Sequence, residues 1–271
     1  MKNDRIRLGC CLQRAGGADQ SPLDRLVSGV RLITDAGFDY VEATVDTAMR
    51  LDEGTLRDAR SRGIRIGHFN CFIPGSYRIL ADDAQFNAAL EHVKIAAERT
   101  AMLGAEIIVL GSGAARRKPE GMAQEKAMDK FAYFCEKAAI ILSGYNITLA
   151  LEPLHTGETD IVNTLAEGAA VVKRVAMPNF KLLCDSFHMH RAGESPEGAA
   201  KYAGLIAHAH IAEPPERVYP GKNGGAYLRA FASALRGAGY TGGVTAECGF
   251  GGDLRAELAA SRAFMGEIFG V

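Results

Sequence analysis

Several absences narrow what this 271-residue chain does. The formal net charge is only −1 and no Lys/Arg-rich run stands out. Proteins that bind a phosphate backbone or an anionic bilayer carry a basic footprint, so nucleic acid and membrane partners are disfavoured. No stretch of about 18 uncharged apolar residues is present to span a bilayer, and the N-terminal MKNDRIRLGC has no apolar signal segment. The six cysteines (Cys10, Cys11, Cys71, Cys135, Cys184, Cys248) include no CxxC pair. Most lie in or beside apolar runs, where a reduced thiol behaves as a small hydrophobe, so neither a disulfide framework nor a zinc clip is expected. A cytoplasmic protein follows as the expectation. No Pro/Ser-rich linker divides the chain, and the first apolar run, LGCCLQRAGG, does not lead into a G-x-G-x-x-G turn.

What the chain does have is alternation. Hydrophobic residues make up 48% and charged residues 23%, a globular balance with ample core material. Short apolar runs predict strands at Ile6–Cys11, Tyr40–Thr44, Ile64–Phe69, Ile107–Leu110, Thr148–Glu152, Lys181–Asp185, Ile206–Ile211 and Gly243–Glu247. Between them amphipathic stretches predict helices, among them Leu23–Ala36, Asp83–Leu103, Ala123–Ser143, Thr164–Arg174 and Tyr227–Arg236, with Leu254–Ile268 closing the chain. Glycines at 37, 104, 144 and 239 stand where helices stop, and glycine suits the left-handed turn that ends a helix. Repeated strand–helix units of this kind predict an α/β protein: a single (β/α)8 barrel occupying residues 1–271, with a doubly wound open sheet as the lesser alternative. The irregular segments Phe72–Ala81 and Glu213–Ala226 read as long strand-to-helix loops, which in a barrel lie at the catalytic face.

Four polar side chains fall where apolar strands end: Glu152 in ITLALEPLH, Asp185 in FKLLCDSFH, His210 in LIAHAHIAEP and Glu247 in GGVTAECGF. They are 33, 25 and 37 residues apart, each close to one strand–helix unit. A carboxylate or imidazole beside a buried strand is costly unless something pairs with it. Taken singly, each has a plain reading as a cap, a surface acid or a satisfied core histidine. Taken together, they predict one divalent cation held by three carboxylates and an imidazole, a donor set suited to Mn2+, Co2+ or Mg2+. His208 shares a strand face with His210 but stands a layer deeper, and a packed, hydrogen-bonded role is expected for it.

The motifs ALEPLH, CDSFHMH, HAHIAEP and TAECGF, with NCFIPG earlier and GSGAARR after the fourth strand, resemble the xylose-isomerase-like TIM barrels of the sugar (phosphate) isomerases and epimerases. The likeness runs from about Leu8 to Gly249, and the branch it most resembles is the ketose 3-epimerases of the tagatose/psicose type. That resemblance implies a sugar substrate, a homo-oligomer (dimer or tetramer), and C3 epimerisation through an enediolate. It also implies that Glu152 and Glu247 are proton carriers as well as metal ligands. By the same resemblance Glu158, His188 and Arg217 contact the substrate. Arg217 lies one residue farther from His210 than the family pattern places it, and solvent exposure is the competing reading.

Other residues keep two readings. The Asn70–Gly75 segment is expected to shape the substrate mouth, with Asn70 facing the sugar and Cys71 a wall residue. His68 is expected in the substrate pocket or in the core. It also matches a third-strand histidine of the endonuclease IV branch of the superfamily. That branch needs further histidines to hold three zinc ions, and the fourth strand, IIVLGSG, supplies none. Ser112, Gly113, Arg116 and Arg117 either cradle a phosphate or cap a helix. A hydroxypyruvate- or xylulose-type isomerase and an inosose-type dehydratase are the alternatives on the same scaffold. A non-catalytic sugar-binding barrel is the alternative from outside enzymology.

Overall fold

The aliphatic runs become eight parallel strands that close on one another in chain order in a computed structural model describing residues 5–12 and 20–271. They are β1 (Arg7–Cys11), β2 (Tyr40–Thr44), β3 (His68–Asn70), β4 (Ile107–Leu110), β5 (Thr148–Leu151), β6 (Phe180–Asp185), β7 (Ile206–Ile211) and β8 (Gly243–Ala246). β8 returns to β1 through pairs from Arg7↔Gly243 to Cys10↔Ala246, so the sheet has no edge. Parallel neighbours need long crossovers, and helices supply them. The helix Asp83–Leu103 shows why they form where they do. Asp82 caps its start by accepting from Gln85 N, Gly104 ends it in the left-handed conformation (φ 91°), and Phe86, Ala89, Val93, Ala96 and Ala97 are buried along it.

The expected barrel is the observed one, with local differences. β3 begins at His68, not Ile64: Ile66 N donates to Leu103 O, and Gly67 O accepts from both Glu106 N and Ile107 N. Ile64 and Ile66 are therefore buried beside the sheet without joining the ladder. Gly144 ends its helix with φ −62°, and the positive φ of that turn falls instead on Asn146 (58°), a residue type that tolerates it. Short helices at Val45–Arg50 and Ser186–Arg191 follow β2 and β6 directly, and one at Gly113–Arg116 follows β4 after two residues. Each is too brief to carry a helical period, so none was expected from the sequence.

The interior of the barrel is unlike from side to side. Val109, Ala150 and Leu183, from β4, β5 and β6, form a small apolar cluster separate from the large core, with Ile107 against it. Strand alternation puts Ala150 on the face of Glu152 and Leu183 on the face of Asp185. On β2, β3, β7 and β8 the corresponding positions are polar and buried: Glu42, His68, Asn70, His208, His210 and Thr245. Most of the other buried apolar side chains join one continuous core. Among the described residues, no helix is long and apolar enough to cross a membrane.

Candidate metal centre

Glu152 and Glu247 stand one residue beyond β5 and β8, Asp185 ends β6, and His210 is the penultimate residue of β7. The barrel brings one donor atom from each to within 4.8 Å of the other three. His210 Nδ1 lies at the middle, 3.3 Å from Glu152 Oε1, 3.3 Å from Glu247 Oε2 and 3.9 Å from Asp185 Oδ2. Asp185 divides its oxygens between two tasks. Oδ1 accepts from Phe187 N (2.6 Å) and His188 N (2.9 Å), capping the short helix, whereas Oδ2 is buried without a hydrogen-bond partner among the described residues. The plain capping reading therefore accounts for only half of Asp185.

The charges show what the centre asks for. Burial pushes the Glu152 carboxyl above the usual range, with His210 opposing it. Burial acts in the same direction on Glu247 and Asp185, but neighbouring groups outweigh it and hold both below the usual range: His210 and then Arg217 for Glu247, His188 and then Arg217 for Asp185. Burial works against the His210 cation, yet Glu42 and then Glu247 raise that imidazole well above its ordinary value. Three carboxylates around one buried imidazole thus favour positive charge at their centre. A divalent ion satisfies that demand without a proton on Nδ1, and the orphaned Asp185 oxygen gives it a fourth donor. The residues present fit the ion.

Glu42, which the sequence reading passed over, completes the centre from below. It is fully buried on β2, with His208 Nε2 at 2.8 Å from its Oε2 and His210 Nε2 at 2.9 Å from its Oε1. An imidazole that donates Nε2–H to a carboxylate keeps its Nδ1 lone pair free, the usual support for a histidine that binds metal. The only signal in the sequence was one acid inside the apolar run YVEAT. His208 is fully buried, as expected, and also meets Thr245 Oγ1 at 3.2 Å.

The substrate-side expectations meet the structure unevenly. Arg217 joins the centre despite its altered spacing. It ion-pairs with Glu247, lies 3.8 Å from Glu158 Oε1, and stacks over the Phe187 ring at 5.0 Å. Glu158 stands at the rim, also 3.4 Å from His155 Nε2. His188 is buried with Nε2 4.0 Å from Glu152 Oε1, and its Nδ1 accepts from His155 N. His155 is a further rim residue that the sequence reading did not single out. Asn70 reaches inward and donates to Glu247 Oε1 at 3.0 Å.

Four candidates fall elsewhere. His68 shares the face of Asn70 two residues deeper, stacked on His208 with ring centroids 4.7 Å apart and against Tyr40 at 4.2 Å. Of its two readings, the structure places it in the core layer beneath the donors. Cys71 is exposed, and its thiol is pushed up to about 11, by desolvation first and then by Glu247 and Glu152, the opposite of what a nucleophile requires. Arg116 is fully buried against backbone carbonyls, so it does not face a phosphate; Arg117 is exposed and donates to Gly157 O at 3.2 Å.

Comparison with known proteins agrees with this geometry. A family model described as xylose isomerase-like TIM barrel matches residues 30–267. Over 102 residues, 37% of this chain and 35% of the relative, the chain is 41% identical to the D-psicose 3-epimerase of Agrobacterium fabrum. Over 257 residues, 89% of this chain and 90% of the relative, it is 27% identical to a putative hydroxypyruvate isomerase of Homo sapiens. The crystal structure of a D-allulose 3-epimerase from Methylomonas sp. superposes with a TM-score of 0.83, covering 97% of this chain and 98% of that one. Its sequence identity is 19%, so that likeness speaks for the fold.

Proposed function

The chain belongs to the xylose isomerase-like TIM barrel family, and we propose that it works as one barrel domain that binds a divalent metal and inverts C3 of a free ketose. The observation that carries this reading is the pair Glu152 and Glu247. Both carboxylates face His210 Nδ1 at 3.3 Å, and they arrive from β5 and β8, three strands apart in the barrel order. Inversion of a carbon needs one base on each side of it, whereas transfer within one face needs a single base. The named relatives are sugar epimerases and isomerases, which supports the same class.

In this scheme Glu152, Asp185, His210 and Glu247 hold the ion, for which Mn2+ suits the donor set best and Co2+ or Mg2+ are acceptable. When bound, the ion supplies Lewis acidity that makes the proton beside the ketose carbonyl easier to remove, worth several kcal/mol of barrier. One glutamate takes the C3 proton from its face; the other returns a proton to the opposite face. Arg217, ion-paired to Glu247 and 3.8 Å from Glu158, orients both acids toward the sugar. Asn70 fixes the other Glu247 oxygen, and His188 beside Glu152 offers a donor to a sugar hydroxyl.

The test is exchange. The protein is incubated in D2O with Mn2+ and, separately, fructose, tagatose and psicose, and deuterium at C3 is followed by NMR. Incorporation into at least one sugar is expected. No incorporation into any of them would remove the 3-epimerase reading. The extended match to a putative hydroxypyruvate isomerase favours a second reading, proton transfer between neighbouring carbons by one base. Hydroxypyruvate added to the same assay would then give an aldehyde product, and one of the two glutamates would be dispensable.

A further inference from the structure

The segment GSGAAR (Gly111–Arg116) after β4 does not present itself to a phosphate, yet it contains an expensive group. Arg116 is fully buried and makes no ion pair among the described residues. Its guanidinium instead holds three carbonyls: Nη1 donates to Leu110 O (3.3 Å), and Nη2 donates to Glu152 O (2.9 Å) and Val162 O (3.4 Å), with the Phe131 ring 5.6 Å away. Nε has no partner among the described residues. A buried cation whose hydrogen bonds all go to neutral carbonyls is costly to keep. Burial lowers it to about 10, so it remains charged at neutral pH.

What the three carbonyls have in common is the site. Leu110 ends β4, Glu152 is the proposed ligand and proton carrier, and Val162 closes the loop that carries His155 and Glu158. Val162 has φ 58°, a left-handed conformation that a β-branched residue adopts only where its surroundings enforce it. Its carbonyl takes Leu154 N at 3.2 Å as well as Arg116, and Asn163 Nδ2 ties the loop to Leu154 O and Thr159 O. The glycines of the segment complete the fit. A Cβ at Gly111 would overlap Glu152 Oε2, and a Cβ at Gly113 would come within 2.8 Å of Glu158 O.

We propose that Gly111 and Arg116 are positioning residues: together they set the place of the Glu152 carboxylate and the path of the loop 153–163 that carries Glu158. This rests on the reading of Glu152 given above, so its test needs a measurement that does not depend on turnover. Three variants serve: Arg116→Met, which fills the volume without donors, Arg116→Lys, which keeps the charge but loses the fork, and Gly111→Ala. Amide hydrogen exchange of residues 153–163 is measured by mass spectrometry, and Mn2+ affinity by electron paramagnetic resonance.

R116M is expected to speed exchange in 153–163 at least tenfold while β1–β3 keep wild-type protection, and to weaken Mn2+ binding at least fivefold. R116K is expected to fall between R116M and the wild type, with exchange three- to tenfold faster. G111A is expected to weaken Mn2+ at least fivefold, because its methyl group displaces the ligand oxygen. A filler of core space would instead loosen the whole barrel together. Wild-type exchange in 153–163 and Mn2+ binding within twofold in R116M, or in R116K should R116M not fold, would overturn the role of Arg116. A folded G111A with wild-type Mn2+ affinity would overturn the role of Gly111. If the wild-type protein itself binds no Mn2+, the metal reading fails, and the exchange comparison still decides whether Arg116 holds the loop.

Discussion

Replacing Glu42 by Gln isolates the charge beneath the metal centre, because the side chain keeps its shape. In the native protein both oxygens work, Oε2 toward His208 Nε2 at 2.8 Å and Oε1 toward His210 Nε2 at 2.9 Å, and all three side chains are fully buried. A carboxylate accepts from two imidazole N–H groups at once; a carboxamide accepts from one and points its own N–H at the other. One ring must then break its bond or flip its tautomer. If His210 flips, the proton moves to Nδ1, the atom 3.3 Å from both glutamates, and blocks metal binding there. Losing a carboxylate behind a ligand histidine weakens metal affinity by roughly 10- to 100-fold, or about 1.4–2.8 kcal/mol. Hydrogen bonds to a charged group contribute about 1.5–3 kcal/mol each, so the metal-free fold should also lose on the order of 1–3 kcal/mol. Mn2+ titration by electron paramagnetic resonance reads the first effect and a urea melt the second. Mn2+ affinity within twofold of wild type in a folded E42Q protein would refute the argument that Glu42 fixes the ligand tautomer.

Other perturbations probe the same architecture. Mn2+ at 100 times its Kd should add about 2.7 kcal/mol to stability, raising Tm by roughly 5 °C or more for a domain of this size; EDTA should reverse the shift, and a melt indifferent to both would contradict a specific ion site. Arg217→Met removes the cation that touches Glu247 and Glu158, so KM for the accepted sugar should rise at least tenfold with Tm nearly unchanged, as steady-state kinetics and calorimetry would show. Asn70→Ala frees Glu247 Oε1 and should lower kcat about tenfold while KM moves less. Leu183→Ala opens the small inner cluster two residues below Asp185 and should cost about 2–5 kcal/mol in a urea melt.

The barrel was legible because its signals are redundant. Eight apolar runs at similar spacing, helices bounded by capping residues and the lack of a linker all say the same thing, and one misplaced boundary changes nothing. The boundary of β3 was misplaced for a physical reason. Ile64 and Ile66 are as apolar as a strand residue, and only the bonds of Ile66 to Leu103 and of Gly67 to the start of β4 show that the ladder begins at His68. The short helices after β2, β4 and β6 were invisible because a segment of four to six residues cannot display a 3.6-residue period.

The site was legible to a different depth. Glu152, Asp185, His210 and Glu247 announce themselves because each interrupts an apolar strand at the end where barrel chemistry sits, and that regularity needs no coordinates. Glu42, His68 and His208 interrupt strands too, but one layer down; the depth of His208 was readable only because His210 shares its strand, and neither Glu42 nor His68 has a ligand on its own strand to fix its depth. The structure supplies what was missing. Beneath Glu152 and Asp185 the interior is closed by Val109, Ala150 and Leu183, which offer no polar support. Beneath His210 it is filled by Glu42, His208 and Thr245, which do. The imidazole is the one ligand of the four whose donor atom depends on where a proton sits, and it stands over the polar half, which Glu247, two residues above Thr245 on β8, shares. Carboxylates can offer an oxygen in any tautomeric surroundings, so an apolar floor is sufficient for Glu152 and Asp185, and the split interior follows from what each ligand requires.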